Sequence, residues 1–510
     1  MNAITRKRLA QRKRRIQRRL RTRDAADQGR PVFSAGNIHY ELADRTRGIS
    51  CGGIGAMHLL ARQAGLIEAL DDNVHLLKLH LPYHESDHIL NFAYNILSGG
   101  TCIEDVELLR NDENYLDAIG AESIPDPTTA GDFCRRFTAA DVEKLMDAIN
   151  EVRIKVWSRQ PAEFFDVAII EADGVLAPTT GQCKEGMDIS YNGAWGYHPL
   201  VVSLANTCEP LFLVNRSGNR PSHEDAWKYL DKAATVCREA GFRRIVFRGD
   251  TAFSQTEHLD GWDDDGAVFY FGIDAMRPLV ERADALGEGD WRRLERAAKY
   301  EVKTTSRAQP ANVKEEVVVR RKFRNVRLFS EMVSEFPYQP VACGRAYRVV
   351  ALCKNLTVSK GELLLFDDLR YFFYITNDFS SPAEEIVFQA NQRCDQENLI
   401  AQLKGGVRAL QMPVDGLVSN WAYMVMASLA WTLKAWMALV LPVEPRWRQK
   451  HEAQKRSVLR MEFRTFLNAF MRVPCQVVRK GRRLVYRLLS WNPWQWVFLR
   501  AVEAVRVLRC

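Results

Sequence analysis

The chain has 510 residues, 71 Lys and Arg against 63 Asp and Glu, and a formal net charge of +8. Hydrophobic residues at 47% and charged residues at 26% are globular proportions, which exclude a disordered or collagen-like chain and leave room for roughly two to four domains. Residues 1–23 carry eleven basic residues and no acid, and residues 441–510 carry sixteen against four, so +11 and +12 at the ends leave −15 for the middle. An acidic middle between basic ends disfavours a plain small-molecule enzyme.

Taken in chain order, residues 1–23 read as a cationic arm built on Arg6, Lys7, Arg8, Arg12, Lys13, Arg14 and Arg15. It is either a solvated tail or a grip on phosphates. No apolar run follows these charges, which speaks against a secretory signal. With only Thr5 and Thr22 as hydroxyls, a mitochondrial transit peptide is disfavoured too. Eleven cysteines without a CxxC pair indicate reduced thiols and a cytoplasmic protein.

Apolar residues recur at three- and four-residue steps in 54–69, 88–97 and 142–156, so 50–155 reads as helices. A DNA-binding helix pair and a plain helical bundle both fit that pattern. His75, His80, His84 and His88 invite a zinc reading, but Pro82 interrupts any helix there and no cysteine pair completes a ligand set.

From about 163 the texture becomes α/β. Segments 164–172, 199–205 and 211–215 read as strands, 224–240 as an amphipathic helix, and 244–248 and 267–271 as further strands. Residues 276–370 interrupt this order with a charge-rich stretch and β-like runs at 316–323, 347–353 and 363–366, which predicts an inserted antiparallel domain. A strand at 371–376 and one long helix over 382–408 follow. The apolar run 417–441 contains Ser419, Asn420, Ser428, Thr432 and Lys434 and reads as a buried helix rather than a membrane span. Gly272 and the Gly-Asn turns stand alone, so no phosphate-loop motif or nucleotide cofactor is implied. Seven of twelve tryptophans lie at 421 or later among clusters such as Arg479-Lys480-Gly481-Arg482-Arg483, which suits either nucleic-acid stacking or inward packing.

Three acids fall where such a sheet would expose them. Asp173 ends one strand, Asp250 follows another, and Glu397 lies on the helix 382–408. Strand C-termini are where open α/β sheets place their ligand sites. On a continuous helix, Arg393, Glu397 and Lys404 fall within ~40° of one another. Converging carboxylates suit Mg²⁺ or Mn²⁺, which prefer oxygen ligands, and two such ions serve phosphodiester chemistry. Taken singly, Asp173 before Gly174 is equally a turn residue, and Arg393/Glu397 equally a surface ion pair. Glu171 shares the strand face of Asp173 and is a lesser candidate ligand.

Read together, these segments resemble the DDE transposases of bacterial insertion sequences, most closely the IS-thirteen-eighty family within the group that carries a Tyr-Arg-Glu-Lys signature. The matching pieces are Ile170-Glu171-Ala172-Asp173-Gly174, the run from Tyr191-Asn192-Gly193 to His198-Pro199-Leu200, and Arg216-Ser217-Gly218-Asn219. They continue with Arg248-Gly249-Asp250-Thr251-Ala252-Phe253, Tyr374-Ile375-Thr376-Asn377 and Arg393-x3-Glu397-x6-Lys404. Upstream, Gly99-Gly100-Thr101-Cys102-Ile103-Glu104-Asp105 and Asp126-Pro127-Thr128-Thr129 also look like the family, so the likeness spans about 90–440 in the family's order.

The resemblance implies an α/β fold with an RNase H-like catalytic core carrying a β-rich insertion, preceded by an all-helical N-terminal domain. The implied layout is a basic arm at 1–30, a helical DNA-binding domain at 31–160, the core at 161–275 and 371–443, the insertion at 276–370, and a basic, aromatic-rich region at 444–510. Asp173, Asp250 and Glu397 would be catalytic and hold two Mg²⁺ or Mn²⁺ ions, while Arg393 and Lys404 would grip DNA phosphates. The implied activity is metal-dependent cleavage and strand transfer at terminal inverted repeats. The partners would be double-stranded DNA (transposon ends and target) and a second copy in a synaptic homodimer. The setting would be the bacterial cytoplasm at the nucleoid, with no membrane association. A nuclease without strand transfer and a non-catalytic DNA-binding derivative are the alternatives. The sequence departs from the family at Ala390, where the signature has tyrosine (Phe388 is the nearest aromatic), and at Val175, where a small hydroxyl residue is common.

Overall fold

The computed structural model describes residues 3–21, 35, 37–41, 46–80, 82–181, 184–295, 326–327, 330–356, 358–359, 362–363, 369–481 and 483–508. Nine strands form one mixed sheet. Its first five in chain order are β2 (Ala168–Gly174), β3 (Leu200–Leu204), β4 (Glu209–Val214), β5 (Ile245–Gly249) and β6 (Val268–Ile273). They lie side by side as β4-β3-β2-β5-β6. The ladders β4/β3 and β3/β2 are antiparallel, and β2/β5 and β5/β6 are parallel. Near-continuous apolar runs make these strands, since β3 and β4 are buried along their whole length. Helix α7 (Ala226–Ala240) crosses from β4 to β5 and buries Tyr229, Leu230, Ala233, Ala234 and Cys237 against the sheet.

The sheet continues past β6 through β9 (Leu369–Thr376), then β8 (Tyr347–Asn355) and β7 (Ser330–Tyr338), with Arg292–Arg293 at the edge. The predicted insertion over 276–370 therefore does not build a sheet of its own from its longest strands. β8 pairs with β9 from Arg348↔Thr376 to Asn355↔Leu369, which satisfies an edge that would otherwise expose unpaired backbone groups. The segment also opens with a helix, Arg277–Asp284. The expected strand 316–323 lies outside the described residues.

The helical layer comes from both ends of the chain. Helices α2 (Ile54–Gln63), α4 (Glu85–Ser98) and α6 (Ala139–Trp157), with α3 (Leu66–Asn73) and α5 (Pro127–Cys134) between them, pack with α10 (Leu417–Leu439) and α11 (Gln495–Val507). One apolar cluster runs from Ile49 to Leu508. The strands β1 (Arg47–Ile49), β10 (Cys475–Lys480) and β11 (Arg483–Leu488) form a small sheet, with β1 antiparallel to β10. The described helices between Ile54 and Trp157 and the strands and helix between Cys475 and Val507 thus share one packed layer. Among the described residues α10 is the one helix long and apolar enough to cross a membrane, and from Ser419 to Leu439 it is buried in protein.

The cationic arm is a helix, α1 (Ala3–Arg21). Leu9 is buried, with Thr5, Arg12 and Ile16 half-buried on the same face, at the three- and four-residue steps of a docked helix. Arg12 donates to the carbonyls of Leu488 (2.7 Å) and Ser490 (3.3 Å), so this cation is committed to the C-terminal hairpin. Arg6, Lys7, Arg8, Lys13, Arg14 and Arg15 remain exposed.

Glu209, at the start of β4, joins sheet to helices. Its fully buried carboxylate accepts from Arg153 Nε (3.1 Å) and Trp157 Nε1 (3.0 Å) on α6, and from Trp436 Nε1 (2.9 Å) on α10. Arg153 also donates to the Pro210 carbonyl (2.9 Å). Truncating one partner of a buried pair leaves an uncompensated charge, so Arg153→Ala should lower the unfolding free energy in urea by about 3–5 kcal/mol. A loss below about 1 kcal/mol would mean that this carboxylate does not depend on its partner.

Candidate active site

β2 and β5 run parallel in register from Ala168↔Ile245 to Glu171↔Arg248, so their C-terminal ends emerge side by side. Asp173 is the penultimate residue of β2. Asp250 directly follows β5 and caps the turn Thr251–Phe253, accepting from Ala252 N at 2.9 Å. Gly272 on β6 makes room for that turn, because a Cβ there would lie 2.9 Å from Thr251 N. Local sequence around Gly272 carries no sign of this role, since the close approach joins two strands.

The electrostatics gather the acids in one place. Burial and then the charge of Asp250 push the Asp173 carboxyl up to about 6, with Glu397 adding to the rise. Arg393 and the Gly174 N–H oppose it. Arg393 Nη1 is buried without a hydrogen bond and stands 3.8 Å from Asp250 Oδ2.

The single helix expected over 382–408 is interrupted. Helix α8 (Ala383–Asn391) ends at Gln392, α9 (Cys394–Ala401) begins after Arg393, and Gln402–Gly406 forms a π-turn. Ile386, Val387 and Ala390 of α8 are buried in an apolar cluster with Val246, Val350 and Leu352, which sets that helix's direction. Gln396 of α9 donates to the Val201 carbonyl at 3.1 Å and bonds Ser203, while Leu399 and Leu403 turn inward. Glu397 and Lys404 are exposed. The common face predicted for Arg393, Glu397 and Lys404 does not carry over, because Arg393 precedes α9 and a π-turn shifts the register before Lys404. Ala390 faces the core, so a signature tyrosine there would meet apolar side chains rather than phosphate.

Beneath the acids lies a buried ion pair. Glu171 Oε1 and Arg248 Nη2 are 3.0 Å apart, with side chains 1% and 3% exposed. Arg248 Nη1 also donates to the Gln389 carbonyl of α8 at 3.3 Å. Burial pushes Glu171 up to about 7, against the pull of Arg248. Glu171 therefore sits under the site as a paired side chain, not on its surface as a candidate ligand. The legible signal was the spacing: Glu171 and Arg248 each precede an acid by two residues, on the same strand face.

The other candidates disperse. His80 pairs with Glu85 (3.2 Å), His84 caps α4, and His88 is buried against Phe133 with its ring centroids 4.3 Å apart. Trp421, Trp431 and Trp436 are buried in α10 as core side chains, and Trp447 is exposed. The hairpin residues Arg479, Lys480, Gly481 and Arg483 are exposed.

Two aspartates and a glutamate form an oxygen donor set suited to a hard divalent cation. Asp173, ionised against burial and two neighbouring negative charges, has the electrostatic environment that a cation would relieve. Among the described residues no three Asp, Glu, His or Cys side chains converge closely enough to hold a metal ion, and Arg393 is the cation beside Asp250. The donor set fits by chemistry and charge, with Asp173 and Asp250 at neighbouring strand ends and Glu397 on α9.

A carboxyl whose folded pKa is raised binds a proton that the unfolded chain would lose, so its stability contribution disappears as pH rises from about 4 to about 6. In chelator-containing buffer, the stability advantage of Asp173→Asn over the wild type should be small at pH 4 and level off above about pH 7, at about 1–3 kcal/mol. Urea unfolding curves that keep the same spacing across that range would remove the electrostatic load assigned to Asp173.

Comparison with known proteins gives a family. The model of the transposase DDE domain group 1 matches residues 45–510. Among solved structures, the piggyBac transposase synaptic complex with hairpin DNA, determined by cryo-EM, is distantly similar. It shares 9% identity over 82% of each chain, with a TM-score of 0.37. The comparison with curated proteins yields no match. Matched from residue 45 to residue 510, the chain belongs to the transposase DDE domain group 1 family.

Proposed function

We propose that this transposase-family protein binds the terminal inverted repeats of a bacterial insertion sequence of the IS-thirteen-eighty type, cleaves the DNA at their ends and joins the freed 3′ ends to a target. The observation that carries the reading is the placement of Asp173 and Asp250 at neighbouring parallel strand ends, with Glu397 near enough to raise Asp173 further. The strand order, three antiparallel strands followed by two parallel ones, supports an RNase H-like core. A synaptic homodimer and the bacterial cytoplasm, without membrane association, complete the reading.

Asp173, Asp250 and Glu397 would hold Mg²⁺ or Mn²⁺, two ions in the full site. The chemistry such ions supply when bound is activation of the attacking hydroxyl or water and stabilisation of the leaving oxygen of a phosphodiester. Arg393 would leave Asp250 for a DNA phosphate, where its planar fork suits two phosphate oxygens. Lys404 adds a point charge on the exposed turn after α9. The buried Glu171–Arg248 pair holds β2, β5 and α8 together beneath the acids.

The two basic ends supply the hold on DNA. Arg12 fastens α1 to the C-terminal hairpin, so Arg6, Lys7, Arg8, Lys13, Arg14 and Arg15 belong to one structural unit with Arg479, Lys480 and Arg483. A second reading is a DNA-binding protein without catalysis, supported by the exposed basic residues of α1 and the C-terminal hairpin.

Asp173→Asn, Asp250→Asn and Glu397→Gln should each abolish Mn²⁺-dependent cleavage of end DNA while gel shifts show binding intact. Normal cleavage by all three would refute the triad, and an inert wild type that still binds DNA would favour the second reading. Deleting residues 1–23 should weaken binding and flatten the plot of log affinity against log salt by about 0.9 for each phosphate that α1 neutralises. An unchanged slope would remove α1 from the DNA interface.

A further inference from the structure

The helix Arg448–Arg460 is fixed from within and cationic outside. Val458 and Leu459 are buried, and Lys434 Nζ of α10 donates to the Leu459 carbonyl at 2.7 Å. Arg456, Ser457 and Arg460 are exposed on another side of the helix and line one open groove of about 680 Å³. Thr465 and Trp494 line it too, and Glu462 is the acid among its lining residues. Among the described residues Arg456 has no acid partner, and Arg460, 67% exposed, has one in Asp395.

The groove connects two parts of the molecule that the transposase reading gives to DNA. On one side, Arg460 Nη2 stands 3.4 Å from Asp395 Oδ2 of α9, two residues before Glu397. Phe463 N donates to Gln402 Oε1 at 2.9 Å, which ties the segment between Arg460 and Thr465 to the π-turn bearing Lys404. On the other side, Trp494 packs on Phe470 with ring centroids 5.8 Å apart. It lies four residues beyond Ser490, whose carbonyl receives Arg12 of α1. A duplex that engages both α9 and the unit of α1 and the C-terminal hairpin therefore passes this groove.

Each guanidinium offers a planar fork that matches two phosphate oxygens. An exposed pair such as Arg460–Asp395 is a weak restraint, so Arg460 turns to a phosphate at small cost. Serine and threonine hydroxyls are common phosphate donors, and Ser457 and Thr465 supply two at the same groove. We propose that the groove seats a backbone phosphate of duplex DNA outside the catalytic centre, held by Arg456 and Arg460. The proposal rests on the DNA-binding part of the transposase reading. The contact is independent of base sequence, and it sets the register of the duplex between the basic ends and the acids.

The test is fluorescence anisotropy of the full-length protein, without divalent metal, on an end-DNA duplex. Copies of the duplex carry an uncharged methylphosphonate in place of one backbone phosphate at a time. For the wild type, replacing the seated phosphate should weaken binding about 10-fold. Arg456→Ala combined with Arg460→Ala should weaken binding of the native duplex about 10-fold or more and lose nothing further from that replacement. Its plot of log affinity against log salt should flatten by about 0.9 for each phosphate released. Protein lacking residues 1–23 should still respond to the replacement, and Asp395→Asn should bind like the wild type. If the double variant melts at a lower temperature, Arg456→Ala alone, which breaks no ion pair, carries the same comparison. Unchanged affinity in the variants, or a response to every replacement equal to that of the wild type, overturns the groove. So does Asp395→Asn matching the double variant, which makes Arg460 a support for α9. A wild type that binds no duplex overturns the groove and the transposase reading together. One that binds through the groove but does not cut end DNA under Mn²⁺ sinks the transposase reading alone.

Discussion

Glu209 carries a charge in a place without water, and the surrounding architecture follows from keeping that charge satisfied. Three donors reach it from two helices that lie far apart in the chain, α6 and α10, while its own backbone belongs to β4. Arg153 and Trp436 share Oε1 and Trp157 alone serves Oε2, so loss of Trp157 would leave a buried oxygen unpaired, which is more costly than never having had the bond. The carboxylate therefore holds the helical layer in one position against the sheet. Since β4, β3 and β2 are hydrogen-bonded in sequence, that position extends to the strand bearing Asp173.

The same principle operates beneath the acids with a different result. Glu171 and Arg248 neutralise each other in the interior, and the guanidinium also reaches the backbone of α8 just before the chain turns into α9. Two residues further along each strand, Asp173 and Asp250 have no such internal pairing with each other. The charge of Asp250 opposes ionisation of Asp173, and Arg393 and the Gly174 N–H moderate it. An ion pair below and facing carboxylates above leave the like-charge repulsion at the strand ends, where an outside cation has access.

What the sequence disclosed was what local pattern encodes. Strands buried on both faces are short apolar runs, so β2 to β6 were visible within a few residues, and with them the strand-end positions of Asp173 and Asp250. The amphipathic spacing of α7 and the polar interruptions of α10 were equally local signals. Long-range pairing was not legible. Nothing in residues 330–355 says that they extend the main sheet rather than form their own, because the partner's edge lies elsewhere. The break at Gln392 lacks a proline or glycine to mark it; it arises where α8 commits to the apolar cluster and α9 commits to β3 through Gln396. The tryptophans of α10 fitted both stacking and inward packing for a related reason, since composition does not tell which side of a helix is enclosed, and the structure packs them inward.

The small sheet of β1, β10 and β11 has a consequence in time rather than in space. The strand Arg47–Ile49 is made more than 400 residues before its partner Cys475–Lys480. Contacts of such long sequence separation form late, because the intervening chain must first be ordered. Helix α1 waits as well, since the carbonyls that receive Arg12 belong to Leu488 and Ser490. The cationic helix therefore gains its fixed place only after the segment around Leu488 and Ser490 has been made.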